Sequence, residues 1–247
     1  MQRSNSITAR ICLGFLLGAI VAMTAAAADD LAARRKALEP YFRMYRPDGS
    51  GPIPAVLFVS GCLGFGPTTA PRSYTSLAED WKAKGYAVVF VDYLAARGTD
   101  RCSGTTTEDV GKDVLAVASY LRTQPFIDPK RISAIGWSLG GGGVLDTLGQ
   151  MDRSEDSPLH AVVAYSPVCV TLEPWRSKVP ALVLMGANDE MARPAICQQV
   201  FTQLPPGTPL ETRVYPDAGH VFNLPGDGYN ATAAAAAAHD VDQFLSR

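Results

Sequence analysis

The 247-residue chain is 47% hydrophobic and 19% charged, the balance of a globular protein and not of a disordered one. A formal net charge of -2 with no basic block excludes a nucleic-acid-binding surface as the organising feature. The length suffices for one sizeable core and is short for two.

The first segment differs in kind from the rest. Met1 to Arg10 carries Arg3 and Arg10 and no acid, "ICLGFLLGAIVAM" is an apolar run, and "TAAAADD" supplies small residues before the first acids. That is the pattern of a secretory signal peptide spanning 1–28, with cleavage expected after Ala28. A retained anchor is the alternative, but the run falls short of the ~20 apolar residues a spanning helix needs. Cys12 lacks the small-residue context that lipid attachment requires. The expectation is an exported protein, periplasmic or secreted, without stable membrane association after removal of the signal.

Residues 29–247 then read as one domain. Asp29 to Glu39 reads as an exposed helical lead-in, and "PYFRMYRPDGSGPIP" as a strand followed by a Pro/Gly turn. "AVLFVSG" (55–61) is a continuous apolar, β-branched run, as a strand buried on both faces requires. "YAVVFVDY" (86–93), "RISAIGW" (131–137), "HAVVAYSP" (160–167) and "ALVLMGAND" (181–189) repeat that character, and "ETRVYPDAGH" (211–220) supplies a last strand and loop. Between them Tyr74–Lys84, Thr107–Gln124, Gly140–Gln150, Ile196–Leu204 and Thr232–Ser246 have helical periodicity; Val110, Val114, Val117, Ala118 and Leu121 share one face. This alternation predicts an α/β fold, a mostly parallel sheet with helices on both faces.

Ligands of such a sheet bind beyond the carboxyl ends of the strands. Ser138 falls there, inside "IGWSLGGGG" (135–143), where Gly136-Trp137-Ser138-Leu139-Gly140 matches G-x-S-x-G. A nucleophile at a sharp strand-to-helix turn needs neighbours without side chains, which Gly136 and Gly140 provide. The further glycines to Gly143 exceed what the turn requires and suit close helix packing. On the pentapeptide alone, a glycine-rich helix start, plain or phosphate-binding, remains an alternative.

A serine hydroxyl needs a base, and the base a carboxylate, in the chain order Ser, acid, His for this fold. Asp189 ends a strand downstream of the serine, and His220 sits on the loop after the next strand. Asp217 and Glu190 are fallback acids; His160 and His239 fall on a strand start and a helix. The oxyanion donors expected are the backbone N–H groups of Leu139, after the nucleophile, and Cys62, in "VSGCLGFG" (59–66).

These residues resemble the dienelactone hydrolase family of the α/β-hydrolase superfamily, over nearly all of the chain after the signal. The resemblance rests on "RPDGSGPIPAV", "GYAVVFVDYLAARG", "IGWSLGGGG", "LVLMGANDE" and "YPDAGHVF". It implies Ser138 as nucleophile, Asp189 as acid and His220 as base. The founding enzymes use cysteine, with a glutamate in the oxyanion loop; here the nucleophile is Ser138 and Ser60-Gly61 supplies no glutamate. Arg97 lies where similar enzymes place an arginine that holds a substrate carboxylate; a salt bridge or a solvent-facing loop position are its alternatives.

The reading is a serine hydrolase cleaving small-molecule carboxylic esters through an acyl-enzyme, with no cofactor and no metal. An acyltransferase or peptidase with the same triad, or a non-catalytic exported binding protein, are the alternatives, and oligomeric state is not legible. The four cysteines beyond the signal have no metal-ligand spacing. Adjacent crossover loops at one end of the sheet favour disulfides Cys62–Cys102 and Cys169–Cys197; free buried thiols are the alternative.

Overall fold

A computed structural model describes residues 30–49, 51–65, 71–151, 157–224, 226 and 228–247, with the backbone alone at 71–73. The expected signal peptide, 1–28, lies outside the described residues.

Residues 30–38 are helical. The strands are β1 (Arg43–Tyr45), β2 (Ile53–Val59), β3 (Ala87–Phe90), β4 (Ile127–Trp137), β5 (Ala161–Tyr165), β6 (Ala181–Gly186) and β7 (Leu210–Tyr215). They form one sheet in the order β1-β3-β2-β4-β5-β6-β7. Only β1 runs antiparallel to its neighbour, β3; the other pairings are parallel. The helices are α1 (Pro71–Ala83), α2 (Thr107–Leu121), α3 (Leu139–Gln150), α4 (Pro194–Phe201) and α5 (Ala231–Leu245). This is the α/β-hydrolase fold.

Because side chains alternate along a strand, β2 sends Ala55, Leu57 and Val59 into one core and Val56 and Phe58 into another. The first core is closed by Val110, Val114 and Val117 of α2, Val144 and Leu148 of α3, and Cys197 of α4. The second is closed by Tyr74 and Trp81 of α1 and by Val241 and Phe244 of α5. Both faces of the parallel strands other than the edge strand β7 are thus buried along their apolar stretches, which is why those stretches read as unbroken runs.

Two of the departures from the sequence reading have a visible local cause. β4 starts at Ile127 because Ile53 pairs with Ile127 across a register shift, leaving Pro129 in its exposed part. β3 stops at Phe90, since the Asp92 carboxylate accepts the Ala95 N–H at 3.2 Å and bends the chain into a 3₁₀ turn, Ala95–Arg97. Helix α2 is capped by Thr106, whose hydroxyl accepts the Asp109 N–H, and α5 by Asn230, whose side chain accepts the Ala233 N–H.

The glycine run lets α3 approach its neighbours. A Cβ on Gly142 would lie 2.4 Å from the Val168 carbonyl oxygen and 2.6 Å from Thr107 Cγ2, while Gly143 abuts Val110 just as closely. Gly149, on the same helix, has nothing within 4 Å of such a Cβ. Alanine is favoured over glycine by ~1 kcal/mol in a helix interior, so Gly149→Ala should stabilise by up to that amount. Gly142→Ala meets backbone and should lose ~1–3 kcal/mol despite the same propensity gain. Urea denaturation of the two variants measures both signs.

Candidate active site

Ser138 stands between β4 and α3 with φ 53° and ψ -115°, a conformation few side chains adopt. Three backbone bonds hold it. Its N–H donates to Tyr165 O at 2.9 Å, and its carbonyl accepts the Gly142 and Val168 N–H groups at 2.9 and 3.1 Å. The glycines on either side are demanded by space: a Cβ on Gly136 would come within 2.2 Å of Gly140 O, and one on Gly140 within 2.2 Å of Val59 O.

The fold brings Asp189 and His220 to this turn. His220 Nε2 lies 3.0 Å from Ser138 Oγ, and His220 Nδ1 lies 2.9 Å from Asp189 Oδ2. An ionised carboxylate can only accept, so the Asp189 contact places the proton on Nδ1 and leaves Nε2 free to accept from the serine. The other Asp189 oxygen accepts the Met191 and Ala192 N–H groups at 3.0 and 2.7 Å. Burial pushes the Asp189 carboxyl upward, but the bonds from His220, Ala192 N–H and Ser166 outweigh it and hold the carboxyl below its ordinary range. Asp217 and Glu190 are exposed, and neither is hydrogen-bonded to His220. His160 is exposed, and His239 contacts Gln243 on α5.

The Cys62 and Leu139 N–H groups have no backbone acceptor among the described residues. The carbonyls just before Cys62 are fixed from behind, where Tyr93 Oη donates to Ser60 O at 2.9 Å and to Gly61 O at 3.2 Å. Cys62 is disulfide-bonded to Cys102 and Cys169 to Cys197, with Cα–Cα distances of 4.7 and 5.1 Å. The first bridge ties the loop after β2 to the loop after β3; the second ties the segment after β5 to α4.

A cleft of about 320 Å³ opens above Ser138 and His220, with Leu63, Tyr74, Trp137, Met191, Val221 and Leu224 among its walls. Burial drives the Tyr74 phenol strongly upward, so it stays neutral. Arg97 is not brought to this cleft. Its guanidinium donates to Tyr93 O at 2.8 Å and to the buried Asp113 at 2.6 Å, the salt-bridge arrangement left open from the sequence. Among the described residues, no group of three or more His, Cys, Asp and Glu is placed to hold a metal ion.

With this geometry established, comparison with known proteins is direct. The model of the dienelactone hydrolase family matches residues 42–247. The chain belongs to the dienelactone hydrolase family. Among solved family-like structures, a candidate dienelactone hydrolase of Klebsiella pneumoniae is 20% identical with a TM-score of 0.67, covering 83% of this chain and 92% of that one. Esterase 2 of Thermogutta terrifontis, solved phosphoramylated by tabun, is 19% identical with a TM-score of 0.62, over 83% and 88%. The quorum-quenching protein AidA of Acinetobacter baumannii is 31% identical over 127 residues. That match takes in 50% of this chain and 38% of AidA, so the chain aligns with well under half the length of that curated relative.

One residue of the site was missed from the sequence. Ser166, directly after β5, is fully buried at φ 44° and accepts the Val221 N–H at 3.1 Å while also bonding Asp189. It thereby joins Asp189 to the residue after His220. The sequence offers only a small polar residue at a strand's carboxyl end, too common a feature to single it out.

Ser166→Ala leaves a Val221 N–H unsatisfied and frees the histidine loop; kcat should fall roughly 10- to 100-fold with KM nearly unchanged, as steady-state kinetics would show. Reduction of the bridges, which span 40 and 28 residues, should lower the melting temperature. The chain-entropy model assigns roughly 3–4 kcal/mol to each. Turnover should fall as well in Cys102→Ser alone, since that variant frees the Cys62 loop.

Proposed function

We propose that the protein is a serine hydrolase of carboxylic esters working through an acyl-enzyme at Ser138. The observation that carries this reading is the continuous relay from Ser138 Oγ through His220 to Asp189, at 3.0 and 2.9 Å. Ser138 Oγ attacks the ester carbonyl carbon while His220 Nε2 takes the hydroxyl proton. Asp189 stabilises the resulting imidazolium without itself being protonated. The Cys62 and Leu139 N–H groups receive the oxyanion of the tetrahedral intermediate. Collapse breaks the bond to the leaving alcohol, which takes its proton from Nε2; water then attacks the acyl-enzyme by the same steps.

Membership of a hydrolase family and the esterase among the structural neighbours support this reading. A non-catalytic binding protein has no need of the relay, or of a strained serine to which it leads. We propose also that residues 29–247 form a single domain, exported after loss of 1–28. Two disulfides fit an oxidising compartment, and no helix among the described residues is long and apolar enough to cross a membrane.

Ser138→Ala should lower p-nitrophenyl ester hydrolysis roughly ten-thousandfold while leaving the circular dichroism spectrum unchanged. A fluorophosphonate probe should label Ser138, as peptide mass mapping would show. Asp189→Asn should be severe through the wrong His220 tautomer, and Asp217→Asn nearly silent; the opposite ranking would move the acid.

A further inference from the structure

The chemical class of the acyl group follows from what the cleft offers it. Among its described walls there is no Lys, Arg, Asp or Glu; the groups present are apolar side chains, glycines, a buried tyrosine, and the Ser138–His220 pair. Its volume, about 320 Å³, lies at the small end of the ~300–1,000 Å³ usual for ligand sites. Two of its wall residues, Leu63 and Met191, are large apolar side chains left 53% and 80% exposed, so an apolar ligand gains by covering them. The arginine expected to receive a carboxylate is occupied elsewhere. Arg97 and Arg34 both pair with Asp113, whose side chain is 3% exposed.

We propose that the site takes uncharged, apolar acyl esters whose chain lies along Leu63 and Met191, and that it discriminates against esters or lactones bearing a carboxylate. This rests on the serine-hydrolase reading above. A carboxylate entering the cleft sheds water and meets no cation among the described walls, whereas an alkyl chain of the same length loses nothing polar. His220 offers no compensation, because it must be neutral to accept the serine proton and becomes cationic only during the reaction, at the other end of the acyl group.

The test compares the p-nitrophenyl ester of hexanoic acid with the p-nitrophenyl hemiester of adipic acid at neutral pH, where the two differ by a terminal carboxylate. The hexanoate should be favoured by at least about 100-fold in kcat/KM. Met191→Arg and Leu63→Arg each place a cation beside the chain and should narrow that gap about tenfold or more. The Met191 N–H bond to Asp189 is a backbone one and survives its substitution. A native preference below about threefold overturns the proposal. So does a gap that neither arginine variant narrows, provided both variants fold and still cleave the hexanoate. If neither ester is cleaved and the fluorophosphonate leaves Ser138 unlabelled, the serine-hydrolase reading itself falls and takes this inference with it.

Discussion

At Ser138 the backbone is held at φ 53° and ψ -115°, and much of the molecule is arranged so that it can stay there. Such a conformation costs about 1–3 kcal/mol and persists only when its surroundings over-determine it. Here they do so by bonding the Ser138 N–H and carbonyl to β5 and the segment after it, and by bringing Gly136, Gly140 and β2 to near contact. The close approach of β2 has a second consequence. It sets the Gly61–Cys62 turn against the serine, so Ser138 and the Cys62 backbone are positioned by the same contact.

The strain is not confined to Ser138. Among the described residues the non-glycine positions of positive φ are Ser138, Ser166, Asp217 and Val221. Ser166 bonds Asp189, and Asp217 and Val221 flank His220 in the loop between β7 and α5. Val221 is β-branched, the kind of side chain for which this conformation is least tolerable. Its N–H bond to Ser166 therefore ties one strained loop to another. The disulfides act in the same region from the other side, fixing the Cys62 loop and the segment that follows Ser166.

Positive charge near the first core is drawn onto Asp113, where Arg34 joins the helix at residues 30–38 to α2 and Arg97 joins the turn after β3 to the same carboxylate. Burial holds the Asp113 carboxyl above its ordinary range in spite of both guanidiniums. The described walls of the cleft, by contrast, carry no permanent charge. The Asp189 carboxylate is sealed behind His220 with its side chain fully buried.

How much of this was legible in the sequence depended on whether the signal was local. The strands announced themselves because both faces of a parallel sheet are covered, which forces unbroken runs such as "AVLFV" and "ALVLM". Ser138, Asp189 and His220 stood out because the fold order fixes which strand ends reach the site, and because only three histidines were available. The cysteine pairs could be read for the same reason, as loops leaving one end of one sheet. Ser166, the clamp of Tyr93 on the Gly61 turn and the capture of Arg97 by Asp113 had no such signal. Each is a contact between side chains or backbone from separate elements, at distances of about 3 Å, and a small shift in packing would have made a different one. The glycine run 140–143 shows both halves. Its presence was plain in the sequence, but the reason for Gly142 and Gly143, the backbone of Val168 and the side chains of Thr107 and Val110 standing where a Cβ would go, existed only once the helices had been packed. The sequence by itself determined the order of elements and the chemistry available at the strand ends. Tertiary packing alone decided which charges were neutralised and which walls stayed apolar, because those outcomes depend on distances that no residue carries within itself.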